Sequence, residues 1–477
     1  MCVKDNWYDM SNLEIFLKEE KHSTLEEAKL ILSLSLPAIL AQLTSIVMQY
    51  IDAGMVGSLG ANATAAIGLV SSSIWLLSGF TIATAAGFSV QVAQLIGAER
   101  EEEAKDVLRQ SLSFLLLVGL ILMGIGQWIS GPLPRLLGGA EDICQDASSY
   151  FFIFSCVLPF TQMRQLSSAM MQSSGDMKTP SALSVLVCVL DVIFNMFFIF
   201  PTREVTVLGI VITLPGMGLK VVGAALGTAT AEVVVSLLML YALCVRSKKL
   251  SLVGKGDWHW KKATMGRAFK VAAPLTVDHF FTRTAYIAGT LLVAPLGTIS
   301  VAANSLAITA ESLCYMPGYG IGAAATAIIG QTIGAEREDL TKSFSRLTVA
   351  LGAGLMGLTA IIMYIAAPFT FSMLTSDASV AALGVTVLRL ELFSEPLYGA
   401  SICCAGVFRG AGDTLLPSVL NLVSMWGVRI VLAFLLIPSM GLRGFWLAMC
   451  IELCFRGIIF LVRLFRNNWM KKSLVAE

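Results

Sequence analysis

Charge is scarce in this chain. Only 14% of its 477 residues are Asp, Glu, Lys or Arg, and only three are His. A soluble domain carries roughly 25% charged residues, so an ordinary solvated surface is excluded. Enzyme signatures are also missing. There is no Walker phosphate loop, no paired zinc motif and no nucleophile elbow. ATP hydrolysis and other enzyme chemistry are therefore unsupported, and no cofactor is expected. The ten cysteines are scattered, most of them within apolar stretches. They read as small packing residues and form no disulfide framework. Residues 1–30 are mixed and charged, without the short apolar core of a cleaved signal.

Apolar residues dominate instead. They make up 56% of the chain, and the mean hydropathy is +0.77. A helix of about 20 residues crosses a ~30 Å hydrocarbon core. Twelve such runs are expected, at 31–57, 65–95, 108–130, 147–170, 181–200, 219–245, 268–294, 299–330, 345–368, 382–408, 416–438 and 442–465. They are too long and too continuously apolar for barrel strands. With the N-terminus inside, the inner segments hold 24 of the 33 basic residues and the outer loops hold four. That bias places both termini in the cytoplasm. The inner loop at 246–270 carries eight basic residues. It reads as a topology anchor on anionic headgroups rather than a nucleic-acid site. Ser23 and Glu26 have capping-box spacing at the start of the first helix.

The chain also repeats itself. "QLIGAEREEEAK" at 94–105 returns as "QTIGAEREDLTK" at 331–342, an offset of 237. Pro37 pairs with Pro274 at the same offset, Leu59 and Gly60 with Leu296 and Gly297, and Pro159 with Pro396. "SGDMKTPS" at 174–181 pairs with "AGDTLLPS" at 411–418. The register slips only near the end, where the first half has extra residues around "TREVTVLGIVITLPG", a stretch that suggests a small hairpin. The expected fold is therefore an all-α integral membrane protein. Twelve transmembrane helices form two six-helix lobes, related by a pseudo-twofold axis along the membrane normal. The repeated phrase is a duplicated cytoplasmic elbow, and its charges form a solvated network. The expected division is a cytoplasmic segment 1–30, an N-lobe 31–245, an inter-lobe loop 246–267, a C-lobe 268–465 and a tail 466–477.

These residues resemble a family. "SLPAILAQLTSIVMQYIDAGMVGSLG" at 35–60 looks like the first helix of the multidrug and toxic compound extrusion (MATE) transporters. "QLIGAER", the two "GD" motifs and "GAALGT" at 223–228 match as well, across about residues 30–465. The resemblance implies secondary-active antiport, in which Na⁺ or H⁺ enters and a drug-like, often cationic, compound leaves. The Asp of the first helix leans towards a prokaryotic branch resembling the DNA-damage-inducible transporters. An inner-membrane, multi-pass monomer with small-molecule substrates and no nucleic-acid partner is expected.

An ionisable group inside a membrane is expensive and marks function by default. Gln42, Ser45, Gln49 and Asp52 make one polar stripe on span 1, which must face the interior. Asp191 and Asn195 share a face of span 5, and Thr228 and Glu232 share a face of span 6. The counterparts of Asp52, Asp191 and Asn195 are Gly289, Val428 and Leu432, so this polarity belongs to one lobe. The family implies that a first-helix Asp, an Asn and Asp on span 5 and a span 6 Thr gather around the coupling cation. Here Asp52, Asp191, Asn195 and Thr228 supply that set, with the span 5 Asn and Asp reversed. Their oxygens suit a hard cation such as Na⁺, and the same carboxylates suit a proton. Gln49, Glu232 and His279 are accessory polar residues, and a hydrogen-bonded packing role is expected for His279.

The second half has its own group: Asp278 and Arg283 on span 7, Glu311 on span 8, Glu391 and Glu395 on span 10. Asn304 and Tyr315 share the face of Glu311. This group is either a second cation or substrate site, or a salt-bridge cluster with Arg283 and Arg389. Glu452 and Arg456 are expected to pair. Two rival classes are a lipid-linked oligosaccharide flippase of the same superfamily, with an Arg-rich cavity, and a passive channel.

Overall fold

A computed structural model describes residues 13, 16–17, 22–207, 210–254, 256–470 and 473–475. Helix α1 spans Thr24–Gly57, α2 Ala61–Gly97 and α3 Glu101–Ser130. A short α4, Leu133–Leu136, leads into α5, Glu141–Cys156, and α6, Leu158–Ser173. Then come α7, Lys178–Ile199, strands β1, Pro201–Val207, and β2, Ile210–Met217, and α8, Lys220–Tyr241. The second half holds α9, Lys262–Val293, α10, Thr298–Gly334, α11, Glu338–Leu374, α12, Ala378–Glu391, and α13, Glu395–Gly410. It ends with α14, Leu415–Val423, a π-helical segment Ser424–Ile430, α15, Val431–Met440, and α16, Leu442–Arg466.

Ser23 caps α1 as its spacing predicts. The Glu26 amide donates to Ser23 Oγ at 3.2 Å, and the Ser23 amide donates to Glu26 Oε2 at 2.9 Å. The expected hairpin is present, with β1 and β2 antiparallel and Pro201 opposite Met217.

Nine of the described helices are long and apolar enough to cross a membrane, and the α5–α6 pair adds a tenth. The remaining two spans are α9 and the α12–α13 pair. They carry Asp278, His279 and Arg283, and Arg389, Glu391, Glu395 and Arg409. Polar cargo dilutes their apolarity.

Spans 4 and 10 correct the expectation of continuous helices. α5 and α6 meet at 48°, and α12 and α13 are separated at residues 392–394. Pro159 and Pro396 sit in the first turn of α6 and α13. Proline is tolerated there, but further inside a helix it would remove a hydrogen bond and clash with the preceding turn.

The repeated phrase turns out to be more than an elbow. Both copies end a helix with the same turn. The Arg100 amide donates to the Leu95 carbonyl at 2.9 Å, and the Arg337 amide to the Thr332 carbonyl at 3.0 Å. Glu99 and Glu336 hold the left-handed position, at φ 59 and 56. The two phrases also pack on each other across the axis. A Cβ on Gly97 would lie 2.0 Å from the Gln331 carbonyl oxygen, and one on Gly334 would lie 1.9 Å from that of Gln94. The side chains mirror this: Gln94 Nε2 donates to the Gly410 carbonyl at 3.2 Å, and Gln331 Nε2 to the Ser173 carbonyl at 2.8 Å. Between apolar helices in lipid, close approach of small residues replaces the hydrophobic drive.

Across the lobes, α9 packs on α2, and α10 packs on α1 and α2. The interface is tight at the elbow end. Towards the hairpin end it reaches Tyr50, whose hydroxyl donates to the Thr309 carbonyl at 3.0 Å, and Arg283, which lies 4.9 Å above the Trp75 ring. Nearer the hairpin end, Gly54, Gly57, Gly60 and Gly297 face open space.

Candidate functional site

The N-lobe site forms where α1, α7 and α8 meet. Asn195 is its hub. Its Nδ2 donates to Asp52 Oδ1 at 3.1 Å and to Asp191 Oδ2 at 3.0 Å. Asp191 is 0% exposed and Asn195 2%, while Asp52 is half-buried. Asp191 also faces the Thr228 hydroxyl. All four residues read from the sequence as a coupling set are thus brought together, and the reversed span 5 pair puts the amide between the two acids. Asp191 Oδ1 and Asn195 Oδ1 have no hydrogen-bond partner among the described residues. Burying polar oxygens without partners is costly, so these atoms are candidates to receive an incoming cation or proton.

A glycine pair positions the hub. A Cβ on Gly223 would lie 2.4 Å from the Phe198 carbonyl oxygen, and one on Gly227 would lie 2.1 Å from Asn195 Oδ1. The "GAALGT" motif therefore lets α7 and α8 touch backbone to backbone. Its match to a family was legible in the sequence, but this reason was not. Tyr150 on α5 also lies within electrostatic reach of Asp52 and Asp191, and no sequence signal distinguishes it.

The rest of the span 1 stripe does not join the site. Ser45 Oγ donates to the Ala41 carbonyl of its own helix at 3.0 Å. Gln49 is exposed, which corrects the expectation of a wholly interior stripe. Its neighbour Tyr50 turns to α10. Glu232 is held by Arg164, Nε to Oε1 at 2.6 Å.

The C-lobe group divides. Glu311, Glu391 and Glu395 place carboxylate oxygens within 4.8 Å of one another, all buried. Ser394 Oγ donates to Glu391 Oε1 at 2.9 Å. Glu391 Oε2 and both carboxylate oxygens of Glu395 have no hydrogen-bond partner among the described residues. The break between α12 and α13 creates this arrangement, because it puts Glu391 on the last turn of one helix and Glu395 on the first of the next. Asp278 is elsewhere: it accepts from Asn421 Nδ2 at 2.6 Å.

The salt-bridge alternative fails for a stated reason. Arg283 stacks on Trp75. Arg389 donates to the Tyr364 carbonyl at 3.1 Å and lies 4.7 Å over its ring. Neither pairs with an acid among the described residues. His279 packs against Gly79 of the other lobe, 3.1 Å from where a Cβ there would be. It makes no hydrogen bond among the described residues, so the hydrogen-bonded role is corrected to plain packing at a lobe contact.

Glu452 and Arg456 do pair, at 2.6 Å. Arg429 joins them, with Nη2 2.7 Å from Glu452 Oε2, and Ser424 donates to Oε1. Sequence spacing missed Arg429 because it lies on the neighbouring span, 23 residues from Glu452. Asn304 Oδ1 accepts from the buried Trp446 Nε1 at 2.9 Å. Arg409, on α13, is a further basic group whose buried Nε has no hydrogen-bond partner among the described residues.

A duplicated, multi-pass helical bundle with one-sided buried acids in each half defines a two-lobed membrane transporter. Comparisons agree with that class. The MatE family profile matches residues 37–197 and 274–435, so its two units begin 237 residues apart, as the repeat does. The chain belongs to the MatE family. It is 25% identical over 457 residues to a probable multidrug resistance protein NorM of Neisseria meningitidis, covering 91% of this chain and 96% of that one. It is 24% identical to a probable multidrug resistance protein NorM of Thermotoga maritima, covering 96% of each. Among solved structures it matches an outward-facing multidrug resistance MATE transporter with a TM-score of 0.86 at 20% identity, over 95% of this chain and 100% of that one.

Proposed function

We propose that the protein is a secondary-active multidrug efflux antiporter. It exports organic, often cationic, compounds in exchange for Na⁺ or H⁺ across the cytoplasmic membrane, by alternating access. The observation that carries this reading is the pair of carboxylates, Asp52 and Asp191, sharing one buried amide in one lobe only. The names of the NorM relatives support the multidrug substrate class. The excess of Lys and Arg at the elbow end supports placing that end, and both termini, in the cytoplasm. The lobes are then closed inside and parted outside.

From outside, an incoming cation or proton meets half-buried Asp52 before fully buried Asp191. Two carboxylates around a neutral amide are costly in an apolar lobe, and positive charge relieves that cost. Asn195 now presents its NH₂ to both acids and its carbonyl towards Gly227. Binding Na⁺ with all four oxygens requires the amide to turn, whereas a proton requires no turn. Either event changes what holds α1 to α7, and repacking of α1 would lower substrate affinity. For this to drive transport, the ion must bind one state more tightly than the other.

The glutamate triad supports a second reading, with the C-lobe as an additional proton or cation site. The flippase reading is disfavoured because, Arg409 apart, the arginines singled out within the spans are already engaged. Arg164, Arg429 and Arg456 pair with acids, and Arg283 and Arg389 lie on rings.

The test is efflux of a fluorescent organic cation from proteoliposomes, with Na⁺ and H⁺ gradients imposed separately, for wild type and Asp52→Asn. Gradient-driven efflux lost in the variant supports N-lobe coupling and identifies the ion. Efflux that persists moves coupling to the glutamate triad. No efflux under either gradient overturns the antiport reading.

A further inference from the structure

The two arginines of the repeated phrase each hold the opposite end of the chain. Arg337 Nη1, in the C-lobe, donates to the Leu17 carbonyl at 2.8 Å. Arg100 Nη1, in the N-lobe, donates to the Val475 carbonyl at 2.6 Å. The C-terminal crossing is the more extensive of the two. After α16 the chain is pinned to its own lobe by Trp469, which is fully buried and donates to the Leu464 carbonyl at 3.0 Å. Ser473–Val475 then reaches the other lobe. Ser473 Oγ donates to Gln94 Oε1 at 3.1 Å, and the Leu474 amide donates to the same oxygen at 2.7 Å.

Leu474 packs where both lobes contribute. It packs against a buried cluster formed by Ala83, Ala86 and Val90 of α2 and Val271 and Leu275 of α9. It also fills the space over Gly412, where a Cβ would lie 2.5 Å from its Cδ1. Gly412 has φ +74 and belongs to the second "GD" motif. The tail therefore sits across the seam where Gly97 and Gly334 bring the lobes together.

We propose that Ser473–Val475 is a latch that holds the lobes closed at the elbow end and must let go before they part there. The seam cannot open while Trp469 stays in the C-lobe and Ser473, Leu474 and Val475 stay bonded to Gln94 and Arg100. Tail occupancy thus favours the conformation described here over the opposite one. The inference builds on the alternating-access reading, but its test needs no transported compound.

Hydrogen–deuterium exchange of the full chain in lipid nanodiscs would be compared with Leu474→Asp and with deletion of 473–477. The readout is the second elbow, 331–337, to which the described tail residues, 473–475, donate no hydrogen bond. Exchange there is expected to rise about threefold or more in both variants, since freeing the seam exposes both elbows. A rise confined to 94–100, or no rise at all, would show a local cap and overturn the latch. If the deletion does not fold, Leu474→Asp in the full-length chain decides alone.

Discussion

The two lobes share a fold but treat buried acid differently. In the N-lobe, two carboxylates are tied to one amide, and one of them is half-exposed near the open end. In the C-lobe, three glutamates crowd together, and only Glu391 has a side-chain donor, Ser394. The first arrangement can exchange its charge with the outside at little structural cost. The second is sealed inside packed helices, so changing its charge means moving α12 against α13. On the antiport reading proposed above, the N-lobe would be the fast partner in coupling and the C-lobe group a site that answers to conformation.

The largest expected effect comes from removing the N-lobe charge. Asp191→Asn should cut gradient-driven efflux by about tenfold or more, the equivalent of one charge-assisted hydrogen bond. Retention of wild-type flux in proteoliposomes would erase the contrast between lobes.

Breaking the Glu452 cluster should instead damage stability. Glu452→Gln leaves Arg429 and Arg456 without their counter-ion, a loss of about 3–5 kcal/mol for a buried pair. Thermal unfolding in detergent checks this, and a shift no larger than that of a surface variant would refute it.

Gly227→Ala sits between these two cases. The added methyl must displace Asn195 or spread α7 from α8, an overpacking cost of about 1–3 kcal/mol. Efflux should fall together with stability. By contrast, Gly124→Ala, where a Cβ meets nothing within 4 Å, should leave both unchanged.

The smallest effect concerns the elbows. The corners after α6 and α13 use Gly175 and Gly412 in the left-handed position, whereas the elbows use Glu99 and Glu336. Glu336→Gly should relieve strain of up to about 1 kcal/mol, read as a raised unfolding temperature. A lowered one would mean that the glutamate side chain is needed where it stands.

Much of this could be read from the sequence, and the reasons differ by residue. Asp52, Asp191, Asn195 and Thr228 stood out because each interrupts an apolar helix and the first three have apolar or glycine counterparts 237 residues on. The pairing of Arg456 with Glu452 followed from one-turn spacing. Spacing could not reveal that Asp278 turns to Asn421 and away from Glu311, because that depends on how α9 rotates against α14. Nor could it show that Arg283 and Arg389 choose aromatic rings over acids. The breaks in spans 4 and 10 were signalled by Pro159 and Pro396, but continuous apolarity masked them. Gly223 and Gly227 were noticed as letters of a motif, yet their purpose needs the partner helix.

The paired glycines at the seam have a consequence for how the molecule is assembled. Gly97 meets the backbone of Gln331, and Gly334 meets that of Gln94. Gln94 reaches Gly410, and Gln331 reaches Ser173. These two pairs of contacts are each returned by their equivalents, which is the rule of an isologous dimer rather than of two unlike domains. The stretch between α8 and α9 then supplies effective concentration, not shape. In these terms the chain has the contact pattern of a twofold dimer whose subunits have been covalently joined.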